Sequence, residues 1–139
     1  MERIADVDLT DRARAGGWIL PDGWSVKADL TYDDRLHPAH DGDWATPDQV
    51  RAWSQGTWEY TTVSVWVQDR RGREWGSAAL SGLVYGGLPR AGFCDPLTDD
   101  TIAEHDMIRE ALEDAVSNLE DFGTPAISQA PSDITVTGL

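Results

Sequence analysis

Trp58-Glu59-Tyr60-Thr61-Thr62-Val63-Ser64-Val65-Trp66-Val67-Gln68, the connector Asp69-Arg70-Arg71-Gly72-Arg73, and the run from Glu74 to Tyr85 decide the fold of this chain. The first run is rich in β-branched and aromatic residues, the chemistry of a pleated, half-buried surface. The connector suits a type I turn with Gly72 in the left-handed position of a bulge, which makes the whole stretch a β-hairpin. That turn sets Asp69 opposite Arg73. Counting back from it, Val67 faces Trp75, Trp66 faces Gly76, Val63 faces Ala79, Tyr60 faces Gly82 and Trp58 faces Val84. In this register two aromatics cover backbone that glycine leaves bare. One side of the first strand carries Val63, Val65 and Val67; the other carries Trp58, Tyr60 and Trp66. A strand apolar on both sides belongs in the middle of a sheet, with cover on each face.

Upstream of the hairpin, Trp24, Val26, Ala28, Leu30 and Tyr32 alternate with polar residues and mark a second half-buried strand. Pro21-Asp22-Gly23 reads as the turn before it. Residues 1–22 read as a weakly ordered lead-in, with a short helix near Leu9 to Ala15 ended by Gly16-Gly17. Thr46-Pro47-Asp48-Gln49 is a helix start with the spacing of a capping box. It predicts a short helix with Val50 and Trp53 facing inward and Gly56 as terminator. Helices are expected on one face of the sheet and the amino-terminal segment on the other.

Downstream, Thr98 is placed to cap a long helix running from Asp99, with Leu97 and Ile102 as a hydrophobic staple. Ile108, Ala111, Leu112, Ala115, Val116 and Leu119 form an apolar stripe at helical spacing. Asp106, Glu110, Glu113, Asp114, Glu120 and Asp121 lie on the opposite side. Phe122-Gly123-Thr124-Pro125 ends the helix. The tail 124–139 reads as loose, with Ile134 to Thr137 able to form a short edge strand. The expected fold is α+β: an antiparallel sheet of three or four strands packed by one short helix and one long carboxyl-terminal amphipathic helix, with residues 1–123 as a single domain.

The chain has 139 residues, seven Trp and a formal net charge of -14. The aromatic content argues for a folded core despite the charge. No apolar run has the length of a membrane span, and the start lacks the apolar centre of a signal peptide. A cytoplasmic protein without membrane partners is expected. Cys94 is the only cysteine, which excludes an internal disulfide. From Ala91 to Leu139, Arg109 is the only Lys or Arg. Such a surface repels nucleic acid and anionic lipid and attracts basic partners.

Chemistry-bearing constellations are sparse. His37 and His40, with Asp41 and Asp43 beside them, are the best metal candidates, although two imidazoles in a polar loop make an incomplete zinc set. Cys94 has acidic neighbours that would raise its thiol pKa, so it makes a poor nucleophile. There is no Gly-rich phosphate loop and no nucleophile elbow. No catalytic residue and no cofactor is expected. Trp58, Tyr60 and Trp66 on one sheet face could stack bases or a second copy of the chain. Only Arg70, Arg71 and Arg73 cluster as cations, so direct nucleic-acid binding is disfavoured.

The aromatic strand with Trp53 before it, the hairpin Gly72-Arg73-Glu74-Trp75-Gly76-Ser77-Ala78 and the acidic amphipathic helix resemble small proteins of unknown function from actinobacteria and actinobacteriophages. The likeness covers roughly residues 46–122. It implies architecture and supplies no catalytic residues. Lys27 is the only lysine beside ten arginines, a usage in keeping with a GC-rich genome. The resemblance implies a phage-encoded or phage-derived origin and almost nothing about activity; the helix charge is read either as an ordinary solvated face or as the binding surface of a non-enzymatic acidic protein. Its acidic helix face would bind and modulate a host protein, acting as a nucleic-acid mimic. The competing readings are a module or homo-oligomer that uses the aromatic sheet face, and a small metal enzyme at His37/His40.

Overall fold

Val63, Val65 and Val67 are fully buried, and the strand that carries them is the middle one of five. The structure is a computed structural model, and it describes residues 3–38, 44–121 and 127–129. The elements, in chain order, are β1 (Arg3–Asp8), α1 (Thr10–Ala15), β2 (Trp18–Ile19), β3 (Ser25–Tyr32), α2 (Pro47–Ser54), β4 (Trp58–Gln68), β5 (Glu74–Leu88), β6 (Gly92–Cys94), α3 (Thr101–Glu104), α4 (Met107–Asp121) and β7 (Ser128–Gln129). The main sheet has the order β1-β3-β4-β5-β6, and every pairing in it is antiparallel. β2 and β7 form a separate two-stranded ribbon. The fold is therefore α+β, with five strands in the main sheet rather than three or four. No helix among the described residues is long and apolar enough to cross a membrane.

The added strands come from segments without a hydrophobic alternation. β1 pairs with β3 along the edge of the sheet, and almost all of its side chains are exposed. Its stability comes from backbone hydrogen bonds, which leave no periodic mark in the sequence. Residues 3–20 thus contribute β1, α1 and β2 to the fold. Leu9, Ala13, Trp18 and Leu20 enter the main core together with Val26, Ala28, Leu30, the β4 valines, Ala111, Leu112 and Ala115. The amino-terminal segment and α4 therefore share one face of the sheet. One end of the other face is covered by α2, whose Ala52 packs with Trp58, Tyr60 and Leu88 in a second core.

Local signals behave as the sequence reads. Thr46 and Gln49 make the reciprocal capping box, with Pro47 at the first helical position. In the hairpin turn Gly72 has φ 83°, and Asp69 N–H donates to Arg73 C=O at 2.9 Å. The register drifts away from that tip. Gln68 pairs with Glu74, but Val67 pairs with Gly76, so Trp75 is the extra residue of a bulge. A second irregularity follows, because Val63 pairs with Leu80 while Thr61 pairs with Leu83. The partners of the aromatics change accordingly: Trp66 faces Ser77, Tyr60 faces Val84 and Trp58 faces Gly86. Bulges that follow long-range packing cannot be counted from a turn.

The long helix expected from Asp99 is divided. Thr98 does not cap it; its hydroxyl donates to Asp95 C=O, while Asp95 and Asp99 carboxylates accept from backbone N–H groups of the same turn. α3 follows with Asp100 before it and no side-chain cap bond. Asp106 then takes φ 51°, a left-handed conformation that aspartate tolerates better than most residues, and α4 starts beyond it. The tail segment Ile134 to Thr137 and the helix-stop residues 122–125 lie outside the described residues.

Candidate functional site

α4 is fixed to the sheet by unusually small contacts. A Cβ placed on Gly76 of β5 would lie 2.3 Å from Ala115 N and 2.4 Å from Ala111 C=O. Glycine on the strand and alanines on the helix let the two backbones meet. Met107, Leu112 and Leu119 fill the space on either side of this close approach.

The expected acidic face exists, but its members are not equivalent. Asp106, Glu110, Glu113, Asp114, Glu120 and Asp121 are all exposed. Asp106 pairs with Arg109 at 2.8 Å. Asp114 accepts a hydrogen bond from Ser77 N–H at 3.0 Å, and Asn118 donates to Trp75 C=O one turn later. β6 pairs with β5 at Gly86, Gly87 and Leu88, so among the described residues β5 is an outer strand at Ser77. Asp114 and Asn118 supply there the acceptor and donor that a neighbouring strand would otherwise offer. Asp114 is therefore part of the docking of α4, which its place in the acidic series does not reveal. The side chains of Glu110, Glu113, Glu120 and Asp121 make no hydrogen bond or ion pair among the described residues. On a helical projection these four share one stripe, spanning about 16 Å along the axis. A shallow hollow of about 390 Å³ lies beside it, lined by Glu113, Val116, Glu120, Trp18 and Ile127.

The aromatic sheet face is largely closed. Trp58 is 1% exposed and Tyr60 3%, and Trp44 lies over both rings at 5.7 and 6.4 Å. Trp58 Nε1–H donates to Gln49 C=O at 2.8 Å, which ties α2 down. These two rings are core and cannot stack on a partner; only Trp66 remains half-buried on that face.

The other candidates stand apart. His37 meets the Trp53 ring edge-on at 4.4 Å, and His40 lies outside the described residues. Among the described residues no three His, Cys, Asp or Glu side chains gather as a metal site. Burial pushes the Cys94 thiol up, and Asp99 adds to the shift. Arg70 and Arg71 are exposed at the hairpin tip, whereas Arg73 lies 4.6 Å above the Trp75 ring.

One buried charge escapes sequence reading. The Asp33 carboxylate is fully enclosed at the end of β3 and accepts from Arg35 Nε at 3.0 Å, Arg35 Nη2 at 3.1 Å and the Arg35 backbone. Those hydrogen bonds to Arg35 hold its pKa below the ordinary carboxylate value, against the opposing effect of burial. The Asp33-Asp34-Arg35 spacing was the available signal, since aspartate favours bonding the backbone two residues on. The Thr62 hydroxyl of β4 also donates to this carboxylate at 3.4 Å, and Asp33 N–H donates to Tyr60 C=O, so the residue staples the loop after β3 to the sheet.

No protein family, curated protein or solved structure matches this chain.

Proposed function

We propose that this chain is a non-enzymatic binding protein whose α4 stripe, Glu110, Glu113, Glu120 and Asp121, engages the basic surface of another protein. In the setting its resemblance implies, it is a phage-encoded or phage-derived modulator of a host protein. The observation that carries the reading is a row of carboxylates without internal partners, held on a helix locked to the sheet by Gly76, Asp114 and Asn118. Fixed charges lose little freedom on binding and can match a partner's spaced cations. The row also works against the helix that carries it. Glu110 and Glu113 are like charges one turn apart, and Glu120 and Asp121 sit at the negative end of the dipole. Glu120 and Asp121 each cost a few tenths of a kcal/mol on that account, while Glu110, in the first turn, is favoured by the dipole. The hollow beside Val116 offers apolar contact for the stem of a lysine or arginine.

The test is affinity capture from a GC-rich bacterial lysate with the wild type and with E110Q/E113Q/E120Q/D121N in parallel. The expected result is a basic protein retained by the wild type, released by salt and lost by the variant. Identical captures by both would sink the reading. The aromatic-face alternative keeps only Trp66 of its three rings, since Trp58 and Tyr60 are core.

A further inference from the structure

Among the described residues, the face of the sheet turned away from α4 is covered at one end, where α2 lies over Trp58 and Tyr60. Further along β4 on that same face, Trp66 is half-buried, and no aromatic ring stacks on it among the described residues. Its indole N–H donates to Gln68 Oε1 at 3.0 Å. The polar edge of the ring is thus satisfied, and what it offers a ligand is its π-face.

Two hollows flank the ring, of about 240 Å³ toward Asp8 and Lys27 and about 410 Å³ toward Asp29 and Glu74. Their walls carry four carboxylates, Asp6, Asp8, Asp29 and Glu74, against two cations, Arg3 and Lys27. Asp6 stands directly opposite Asp29 across β1 and β3, a like-charge pair that is unfavourable by itself. The chain resolves this with its own Arg3, whose guanidinium bridges Asp6 Oδ2 at 3.1 Å and Asp29 Oδ2 at 3.3 Å. The rim therefore already holds one guanidinium. Glu74 is exposed and makes no ion pair among the described residues. An indole face in a rim of four carboxylates against two cations, with Glu74 left without an ion pair, fits a second planar cation, because a guanidinium stacks on an aromatic face while its edges donate to carboxylates.

We propose that Trp66, with Glu74 and Asp29 on one side and Asp8 on the other, is a docking site for an arginine side chain of an extended basic protein segment. The site lies on the opposite face of the sheet from α4 and does not depend on the helix stripe. Thr31 and Ser64 line the floor beside it and supply hydroxyls for the segment's backbone. The acidic rim excludes anionic ligands.

The experiment is a titration of the isotope-labelled full chain with the capped peptide Gly-Gly-Arg-Gly-Gly-Arg-Gly-Gly, followed by the Trp indole and backbone amide resonances. The expected result is a saturable shift of the Trp66 indole and of Thr31 and Ser64, retained in E110Q/E113Q/E120Q/D121N. Trp66→Ala should weaken binding about five-fold or more. Glu74→Gln, which changes only an exposed side chain, should weaken it by about three-fold. Shifts centred on α4 with the Trp66 indole unmoved would overturn the proposal and leave the helix reading standing. Equal affinity in Trp66→Ala and the wild type would also overturn it, as would equal binding of a neutral oligosaccharide at the same indole.

Discussion

The two faces of the central sheet are closed in different ways. On the α4 side the core is continuous from Leu9 to Leu119, and helix backbone touches strand backbone through Gly76, Ala111 and Ala115. On the other side an aromatic plug of Trp44, Trp58 and Tyr60 seals one end beneath α2, and among the described residues the rest carries Ser64, Trp66 and charged residues. One strand, β4, serves both. Its valines meet a complete cover, while its even-numbered residues change from apolar to polar where the cover stops. Chemical type along a strand therefore records how far its neighbours extend, and an aromatic beyond that limit needs another explanation.

The largest effect should separate the two tryptophans of that one face. Trp58→Ala removes a buried ring and its bond to Gln49 and should cost about 4 kcal/mol. Trp66→Ala, at the open end, should cost about 1 kcal/mol. Urea denaturation of both variants checks the contrast, and equal losses would break it. Next comes the backbone contact on the α4 side. Gly76→Ala forces a methyl against main-chain atoms that cannot yield, at a cost of about 2 kcal/mol. Gly72→Ala, where nothing lies within 4 Å, should cost only the left-handed strain of about 1 kcal/mol.

A smaller effect tests the helix as a substitute strand. Asp114→Ala leaves Ser77 N–H without its acceptor and should cost about 1 kcal/mol. Hydrogen exchange should show faster loss of the Ser77 amide, whereas Glu113→Gln should leave that amide unchanged. At neutral pH the least conspicuous effect belongs to Asp33. Its folded pKa is lowered from 3.8, so the stability it contributes is complete above that value and is lost as pH falls through the lowered one. Asp33→Asn should therefore differ most from the wild type at neutral pH. The gap should narrow on acidification below about pH 4. A constant gap across that range would show that Asp33 is not the group titrating.

What could be read from the sequence was local. Thr46 and Gln49 lie three residues apart, and Gly72 sits in a five-residue turn, so their roles follow from short-range geometry. The bulge at Trp75 was hidden because its causes are distributed. The indole bonds Asp69 Oδ2 at 3.1 Å, the ring stacks on Trp24, and Gly76 must meet α4. β1 was hidden because an exposed edge strand has no buried side to betray it. Asp114 was hidden because a carboxylate that docks a helix and one that only faces solvent look alike in sequence. Of the six acids of the expected helix face, one, Asp106, lies before α4 and four have side chains without a partner among the described residues; of the three aromatics, one is half-buried.

In the proposed function α4 divides its labour, with Asp114 holding the helix and four outward acids binding a partner. The most direct test is the affinity of E110Q/E113Q/E120Q/D121N for the protein that the wild type captures, measured at fixed ionic strength alongside the melting temperature. The account predicts a loss of at least about ten-fold with an unchanged or slightly higher melting temperature. Unchanged affinity in a folded variant would contradict it.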